Sequence, residues 1–135
     1  MGECHYQVGN YDAMGASFLI KKVLDEVGLK SERFDLQWAS AAEAPRFVRL
    51  ITDFTGEVRK LGPIGESEGL SKEELRQRLQ VALELVEDRK VRMAFGNATK
   101  TMRKEGVFTQ EHIDGLFADK MAKAIASGLE GAKIG

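Results

Sequence analysis

Apolar residues recur at three- and four-residue steps near the start of the chain. The residues that share this spacing are Met14, Phe18, Leu19, Val23, Leu24 and Val27. The spacing predicts an amphipathic helix over Asp12–Val27. Gly28 predicts its end, because glycine readily adopts the positive φ found after many helix C-termini.

A different period follows, in which apolar and polar residues alternate over Phe34–Ala39. Strict alternation is typical of a half-buried strand. Trp38 is predicted to be a core residue on its apolar face, and stacking against a flavin is the alternative. No other segment offers this strand a partner, so we expect either pairing between chains, which gives a homodimer, or a segment that is not a regular strand.

A second amphipathic segment begins after Ser40 and Glu43, which have the spacing of a capping box. Pro45 fits the first turn of a helix starting near Ala44, and Gly62-Pro63 predicts its end. The predicted core stripe contains Phe47, Leu50, Ile51, Phe54, Val58 and Leu61. Helix–strand–helix order is typical of a parallel α/β unit, so we predict a mainly α protein with a truncated α/β remnant in its first half.

The second half is predicted to be helical. Residues 64–70 are rich in glycine and have the composition of a linker. Ser71 opens a helix with predicted core residues Leu75, Leu79, Ala82, Leu83 and Val86. Thr109 caps a last helix with a core stripe of Ile113, Leu116, Phe117, Met121, Ala124 and Ile125, and residues 127–135 are expected to fray. The predicted division is 1–63, a linker at 64–70, and a helical region at 71–135.

Between these helices, six basic residues and no acidic one occupy the stretch from Arg89 to Lys104, and Gly96-Asn97 is expected to break or bend it. The alternatives are a solvated face, a docking surface for an acidic protein, and, less favoured because Phe95 is its only aromatic residue, a nucleic-acid site. His112 has no second ligand at metal spacing, which favours a solvated or capping role.

The composition limits the protein class. The chain has 135 residues, 43% of them hydrophobic and 30% charged, and a net charge of −1, so it can bury one core and has no overall bias toward nucleic acid or membranes. It has no long apolar span and no signal-peptide pattern, which favours the cytoplasm. There is no nucleophile–base pair and no phosphate-binding loop, so no catalytic residue is assigned.

Cys4 is the only cysteine, and it lies in the run Gly2-Glu3-Cys4-His5-Tyr6. Iron–sulfur clusters and structural zinc ions each take about four ligands, so this chain alone cannot complete either site. Cys4 is therefore either an inert thiol or one ligand of a site completed by another segment.

The first half resembles a known electron-transfer family, the iron–sulfur delta subunit of methyl-viologen-reducing hydrogenase, which also occurs fused to heterodisulfide-reductase-like flavoproteins. The resemblance covers residues 2–63, which are similar to the C-terminal half of the family's chains. It rests on Gly2-Glu3-Cys4-His5-Tyr6, Gly9-Asn10-Tyr11, Lys21-Lys22-Val23-Leu24, Gly28-Leu29-Lys30-Ser31-Glu32-Arg33, Leu36-Gln37-Trp38-Ala39-Ser40-Ala41-Ala42-Glu43, Phe47 and Lys60-Leu61-Gly62-Pro63.

The resemblance implies a subunit with a two-iron two-sulfur (2Fe–2S) cluster that passes electrons, in anaerobic metabolism, between hydrogenase or formate dehydrogenase subunits and a heterodisulfide-reductase-like flavoprotein. It carries over Cys4 as a cluster and metal ligand. Family members have further cysteines upstream, so we expect the DNA before Met1 to continue in frame into a cysteine-bearing segment. The alternative function is a clusterless helical adaptor without redox activity.

Overall fold

The structure, a computed structural model, describes residues 8–132. These residues form five α-helices and one 3₁₀ turn, Ser31–Arg33, and none of them lies in a β-sheet. The helices are α1 (Gly9–Glu26), α2 (Ala44–Leu61), α3 (Lys72–Glu87), α4 (Arg89–Glu105) and α5 (Gln110–Gly131). The mainly helical class is thus confirmed.

α5 lies at the centre of the hydrophobic core. Its buried residues recur at helical spacing, as the sequence predicts: Ile113, Phe117, Met121 and Ile125. They pack with Met14 and Val23 of α1, Leu85 of α3, and Val91, Ala98 and Met102 of α4. α1 and the helices of the second half therefore share one core.

Local sequence signals explain where several helices begin and end. Gly28 follows α1 with a φ of +70°, as predicted. Ser71 and Glu74 form the predicted capping box of α3. Asp88 alone separates α3 from α4, and its Oδ1 accepts hydrogen bonds from the backbone N–H groups of Lys90 (2.8 Å) and Val91 (2.9 Å).

The predicted buried face of α3 was wrong for three of its five residues, while Leu75 and Ala82 are half-buried and pack against the core. Leu79, Leu83 and Val86 are exposed, and the buried residues are Val81 and Leu85. Apolar residues occur on two neighbouring faces of this helix, so their spacing permits either face to pack. Contacts with distant parts of the chain decide which face is buried, since Leu85 enters the main core and Val81 packs with the segment after α1.

The expected break in α4 was also wrong, as was the expected fraying within residues 127–131, while residues 133–135 lie outside the described part of the chain. α4 runs through Gly96 and Asn97 without a break, because an isolated glycine costs a helix only about 1 kcal/mol. α5 continues to Gly131 instead of fraying from residue 127. The close approach of Leu85 to Gly128 and the packing of Leu129 against the core hold this last part in place.

Of the two outcomes expected for Phe34–Ala39, the structure of the single chain shows a segment that is not a regular strand, and the α/β remnant is not confirmed. Pairing of this segment between chains stays a prediction. The segment has no secondary structure, although its exposure alternates as a strand's would. Leu36 and Trp38 are half-buried and pack against the core, which agrees with the predicted role of Trp38. A strand requires a hydrogen-bonded neighbour, and the described residues provide none.

α2 has the predicted bounds, but its apolar stripe is not core. No residue of α2 is buried, and among the described elements the helix packs only against the 3₁₀ turn. The division of the chain at residues 63 and 70 stays a prediction. Within residues 8–132, no helix has the combination of length and apolar character needed to cross a bilayer.

Candidate functional site

The predicted ligand Cys4 lies outside the described residues, as does its neighbour His5. Across residues 8–132, no three His, Cys, Asp or Glu side chains are grouped so that they could hold a metal ion. Three other features stand out in this part of the chain: a buried ion pair, an exposed apolar helix face and a basic helix face.

The ion pair joins Arg33 of the 3₁₀ turn to Glu68, in the segment predicted as a linker. Arg33 Nε lies 2.8 Å from Glu68 Oε1, and Arg33 Nη2 lies 3.2 Å from Oε2. The side chains are only 10% and 3% exposed, respectively. This two-point geometry fixes the direction of the guanidinium as well as its position.

Both partners make further hydrogen bonds. Arg33 donates to the carbonyl oxygens of Gly62 (2.8 Å), Pro63 (3.2 Å) and Leu61 (3.4 Å), which are at the C-terminal end of α2. A cation at this end satisfies carbonyl groups that have no helical partner. Arg33 therefore ties the end of α2 to the turn that follows α1.

Glu68 is satisfied from several directions. Its carboxylate accepts hydrogen bonds from Arg33, from the backbone N–H groups of Gly65 (2.9 Å) and Lys30 (3.3 Å), and from Ser67 Oγ (3.1 Å). The Arg33 guanidinium is the main cause that lowers the pKa of Glu68 to about 2, and the backbone donors add to it while desolvation opposes it. Glu68 is therefore ionised at neutral pH.

The apolar face of α2 lies beside this ion pair. Phe47 is 57% exposed, Val48 61% and Ile51 51%, while Leu50, Phe54, Val58 and Leu61 are half-buried. Single exposed apolar residues are common on protein surfaces, but a contiguous set at helical spacing marks an interaction surface.

The basic face of α4 is the third feature. Its six basic residues are all exposed and fall on the side of the helix opposite the buried Val91, Ala98 and Met102. They are Arg89, Lys90, Arg92, Lys100, Arg103 and Lys104. Arg103 pairs with Asp12 of α1, and Lys90 Nζ lies 3.1 Å from Ser127 Oγ. Within residues 8–132, Lys90 and the other four make no ion pair.

Phe95 and His112 have structural roles. The Phe95 ring lies 5.5 Å from that of Phe117, edge to face, so it points into the core and offers no stacking surface to a base. His112 lies in the first turn of α5, where its backbone N–H donates to Thr109 Oγ1 (3.3 Å) and its ring Nε2 lies 2.8 Å from Glu105 Oε2. Phe95 therefore gives no support to a nucleic-acid site on α4, and the contacts of His112 agree with the solvated or capping role expected from the sequence.

Sequence reasoning missed the Arg33–Glu68 pair. The two residues are 35 positions apart and belong to no periodic pattern. The only local signal is that Glu68 lies in a segment with glycines at 62, 65 and 69, all of which have positive φ. Such turns expose backbone N–H groups that a carboxylate can bind.

The first half of the chain matches a known family. Residues 1–62 match the family described as methyl-viologen-reducing hydrogenase, delta subunit. The resemblance over the first half of the chain is therefore confirmed. No solved structure was found to match the chain.

Several curated proteins are similar to the same part of the chain. It is 43% identical over 63 residues to the iron-sulfur subunit of an F420-non-reducing hydrogenase from Archaeoglobus profundus, covering 47% of this chain and 46% of that protein. It is 44% identical over 62 residues to the vhu iron-sulfur subunit of an F420-non-reducing hydrogenase from Methanocaldococcus jannaschii, covering 46% of each chain.

A larger protein matches as well. One of the subunits of the ferredoxin:CoB-CoM heterodisulfide reductase of Methanosarcina mazei is 45% identical over 65 residues, which are 48% of this chain and 8% of that protein. The match thus spans about half the length of the hydrogenase subunits and a small part of the reductase protein. The second half of the chain, with α3, α4 and α5, lies outside the family match.

Proposed function

We propose that this chain is an electron-transfer subunit of a complex of the hydrogenase and heterodisulfide reductase type, acting in the cytoplasm in anaerobic metabolism. The observation that carries the proposal is the similarity of residues 1–62 to hydrogenase subunits named as iron–sulfur proteins and to part of a heterodisulfide reductase. The partners we propose are hydrogenase or formate dehydrogenase subunits on one side and a heterodisulfide-reductase-like flavoprotein on the other.

Cys4 is the residue that we propose as a ligand of a 2Fe–2S cluster. One cysteine in 135 residues does not fit a complete cluster, which takes about four ligands. The remaining ligands would have to come from another polypeptide segment. We therefore derive no electron-transfer step through residues of this chain alone.

The basic face of α4 is the surface that we propose for docking the redox partner. Five of its six cations make no ion pair within the described residues, although the chain as a whole has a net charge of −1. Clustered charge of this kind steers an oppositely charged partner into encounter, and transient electron-transfer complexes rely on such steering more than on large apolar contacts. The partner face would accordingly be acidic.

A clusterless adaptor is the second candidate function. It is favoured by the single cysteine, because a helical module could bind the same partners without a cluster. Both candidates predict assembly with the same class of complex, and they differ only in whether Cys4 contributes to iron binding.

The test is anaerobic co-expression of the tagged full chain with the hydrogenase and reductase subunits of its own genome. If the chain is an electron-transfer subunit, the subunits should co-purify with it. Cys4→Ser should then lower the iron content and visible absorbance of the complex without dissociating it. If Cys4→Ser leaves the iron content unchanged, the adaptor is supported. If none of the subunits co-purifies with the wild-type chain, both candidates are wrong.

The docking surface has its own control. Lys100→Glu with Lys104→Glu should weaken co-purification, and the loss should be greater at low salt than at high salt. Lys123→Glu changes an exposed lysine of α5 outside the basic face and should have little effect. Equal losses for both variants would contradict docking through α4.

A further inference from the structure

α2 has an apolar face that residues 8–132 leave open. Phe47, Leu50, Ile51 and Phe54 are adjacent at helical spacing, and the helix packs only against the 3₁₀ turn among the described elements. Removing apolar surface from water is favourable by about 25 cal/mol per Å². A helix that exposes this much apolar surface therefore favours association.

We propose that this face binds α2 of a second copy of the chain, with the two helices antiparallel. In one register Phe47 lies opposite Phe54 of the partner subunit, and Leu50 lies opposite Ile51 of the partner subunit. Phe47, Leu50, Ile51 and Phe54 then each have an apolar neighbour, while Val48 lies at the border of the contact. This contact is isologous, so a two-fold axis relates the copies and the assembly closes as a dimer.

The charged edge of the helix complements itself in the same register. Arg46, Asp53 and Glu57 lie along one edge of the apolar face, at steps of seven and four residues. A two-fold axis between antiparallel helices brings like edges together. Arg46 then falls between Asp53 and Glu57 of the partner subunit, and the reciprocal contact forms on the other side of the axis. Parallel helices would instead bring unlike edges together, so Arg46 would face the edge that carries Val48 and Thr55 and would meet no carboxylate.

Arg46 is already positioned for this contact. Its Nε donates to the carbonyl oxygen of Trp38 at 2.8 Å, which leaves the two terminal nitrogens for carboxylates. Among the described residues, Glu57 pairs only with Lys60, at the surface, and it can exchange this pairing for one with Arg46 of the partner subunit. The two-fold axis places the Arg46 of each copy beside carboxylates of the other copy. An unrelated apolar partner would not explain this complementarity, which favours a second copy.

The first experiment is sedimentation of the full chain over a range of concentrations. We expect a reversible dimer of twice the 15.0 kDa chain mass. Phe47→Glu and Ile51→Glu should each raise the dissociation constant at least tenfold, since about 1.4 kcal/mol of lost binding free energy suffices for a factor of ten. Met93→Glu is the matched control, because Met93 on α4 is 57% exposed, like Phe47.

The charged edge gives a second experiment. Arg46→Glu alone should weaken the dimer, and Arg46→Glu combined with Asp53→Lys and Glu57→Lys should restore it. Restoration requires the charges of one copy to meet those of the other, which a general loss of solubility or folding cannot imitate. Circular dichroism should show the same helix content for all these variants, because the changed side chains are exposed or half-buried.

Disulfide trapping tests the direction of the helices, in a Cys4→Ser background. Ile51→Cys lies next to the two-fold axis and should cross-link. Phe47→Cys should not, because seven residues separate it from its copy across the axis, about 10 Å at 1.5 Å per residue, beyond the span of a disulfide. Cross-linking at residue 47 but not at residue 51 would contradict the antiparallel register.

Two results would overturn the proposal. One is a single species of 15.0 kDa at every concentration. The other is a dimer that Phe47→Glu and Ile51→Glu leave unchanged, which would place the interface elsewhere. In the first case, hydrogen exchange shows what covers the face. If the α2 amides of the monomer become protected only when the proposed hydrogenase and reductase subunits are present, the face belongs to those partners instead. None of these outcomes depends on the cluster or on Cys4.

Discussion

Arg33 and Glu68 form a two-point ion pair that is almost closed to solvent and that joins the turn after α1 to the segment after α2. Arg33 also binds the last carbonyl groups of α2. One side chain therefore links the C-terminal end of the exposed helix α2 both to the turn after α1 and to Glu68. This relationship makes the pair the most direct target for mutagenesis.

Glu68→Gln should lower the free energy of unfolding by about 2 kcal/mol, because it leaves Arg33 facing a neutral amide in a site with little water. Chemical denaturation measures this loss. Hydrogen exchange should also become faster in the last turn of α2. Glu66→Gln is the control, because this neighbouring glutamate is exposed and its change should cost less than about 0.5 kcal/mol.

The contribution of Glu68 should depend on pH in a defined direction. Its pKa in the folded chain, about 2, is below the ordinary glutamate value of about 4.3 expected after unfolding. The folded state is therefore favoured above the unfolded-state pKa, and this advantage is lost as the pH falls from about 5 toward 2. The stability difference between wild type and Glu68→Gln should be constant near pH 7 and shrink across that window. A difference that persists unchanged to pH 2 would contradict the ion pair.

The contact between Gly15 and Phe117 predicts a steric cost. A Cβ at residue 15 would lie 2.8 Å from Cε1 of the Phe117 ring and closer still to Cζ, and that ring is completely buried. Gly15→Ala should therefore destabilise the protein by about 1–3 kcal/mol, as overpacked cores do.

Gly115→Ala is the matched control for Gly15→Ala. Gly115 is an exposed helical glycine with open space where a Cβ would be added. Alanine there should stabilise α5 by about 0.5–1 kcal/mol through helix propensity alone. Thermal unfolding of the two variants should thus shift in opposite directions, and a shift of both in the same direction would contradict the predicted overlap.

Asp88 predicts a cap effect at the junction of α3 and α4. Asp88→Ala should cost about 1 kcal/mol, because two N–H groups of α4 lose their acceptor. Asp88→Asn keeps an acceptor oxygen and should retain most of the stability. Equal losses in the two variants would show that the charge, rather than the hydrogen bonds, is responsible.

Periodicity in the sequence predicts the helices well but not always their environment. In α5 one face carries all the large apolar residues, so Phe117 and Met121 could be placed in the core. In α3 leucines occupy two faces, and only the positions of α1 and α5 select Leu85 over Leu83. The choice depends on the tertiary arrangement, which a local pattern does not contain.

The described residues contain neither a buried face on α2 nor a strand at Phe34–Ala39, for a related reason. Amphipathicity shows that a face favours burial, and alternation shows that a segment favours pairing, but neither supplies the partner. In the described residues the face of α2 is left open and Trp38 packs without a strand neighbour. The Arg33–Glu68 pair could not be predicted because its partners meet only after the chain has folded.

The contact between Gly15 and Phe117 also restricts how such a chain can be recombined. Gly15 lies inside the segment that matches the hydrogenase family, and Phe117 lies in the part that does not. A homologous segment grafted onto the three C-terminal helices would fit only if it kept a residue without a side chain at this position. Shuffling of these modules is therefore limited by one steric requirement in the core, whatever the similarity of the surfaces that are exchanged.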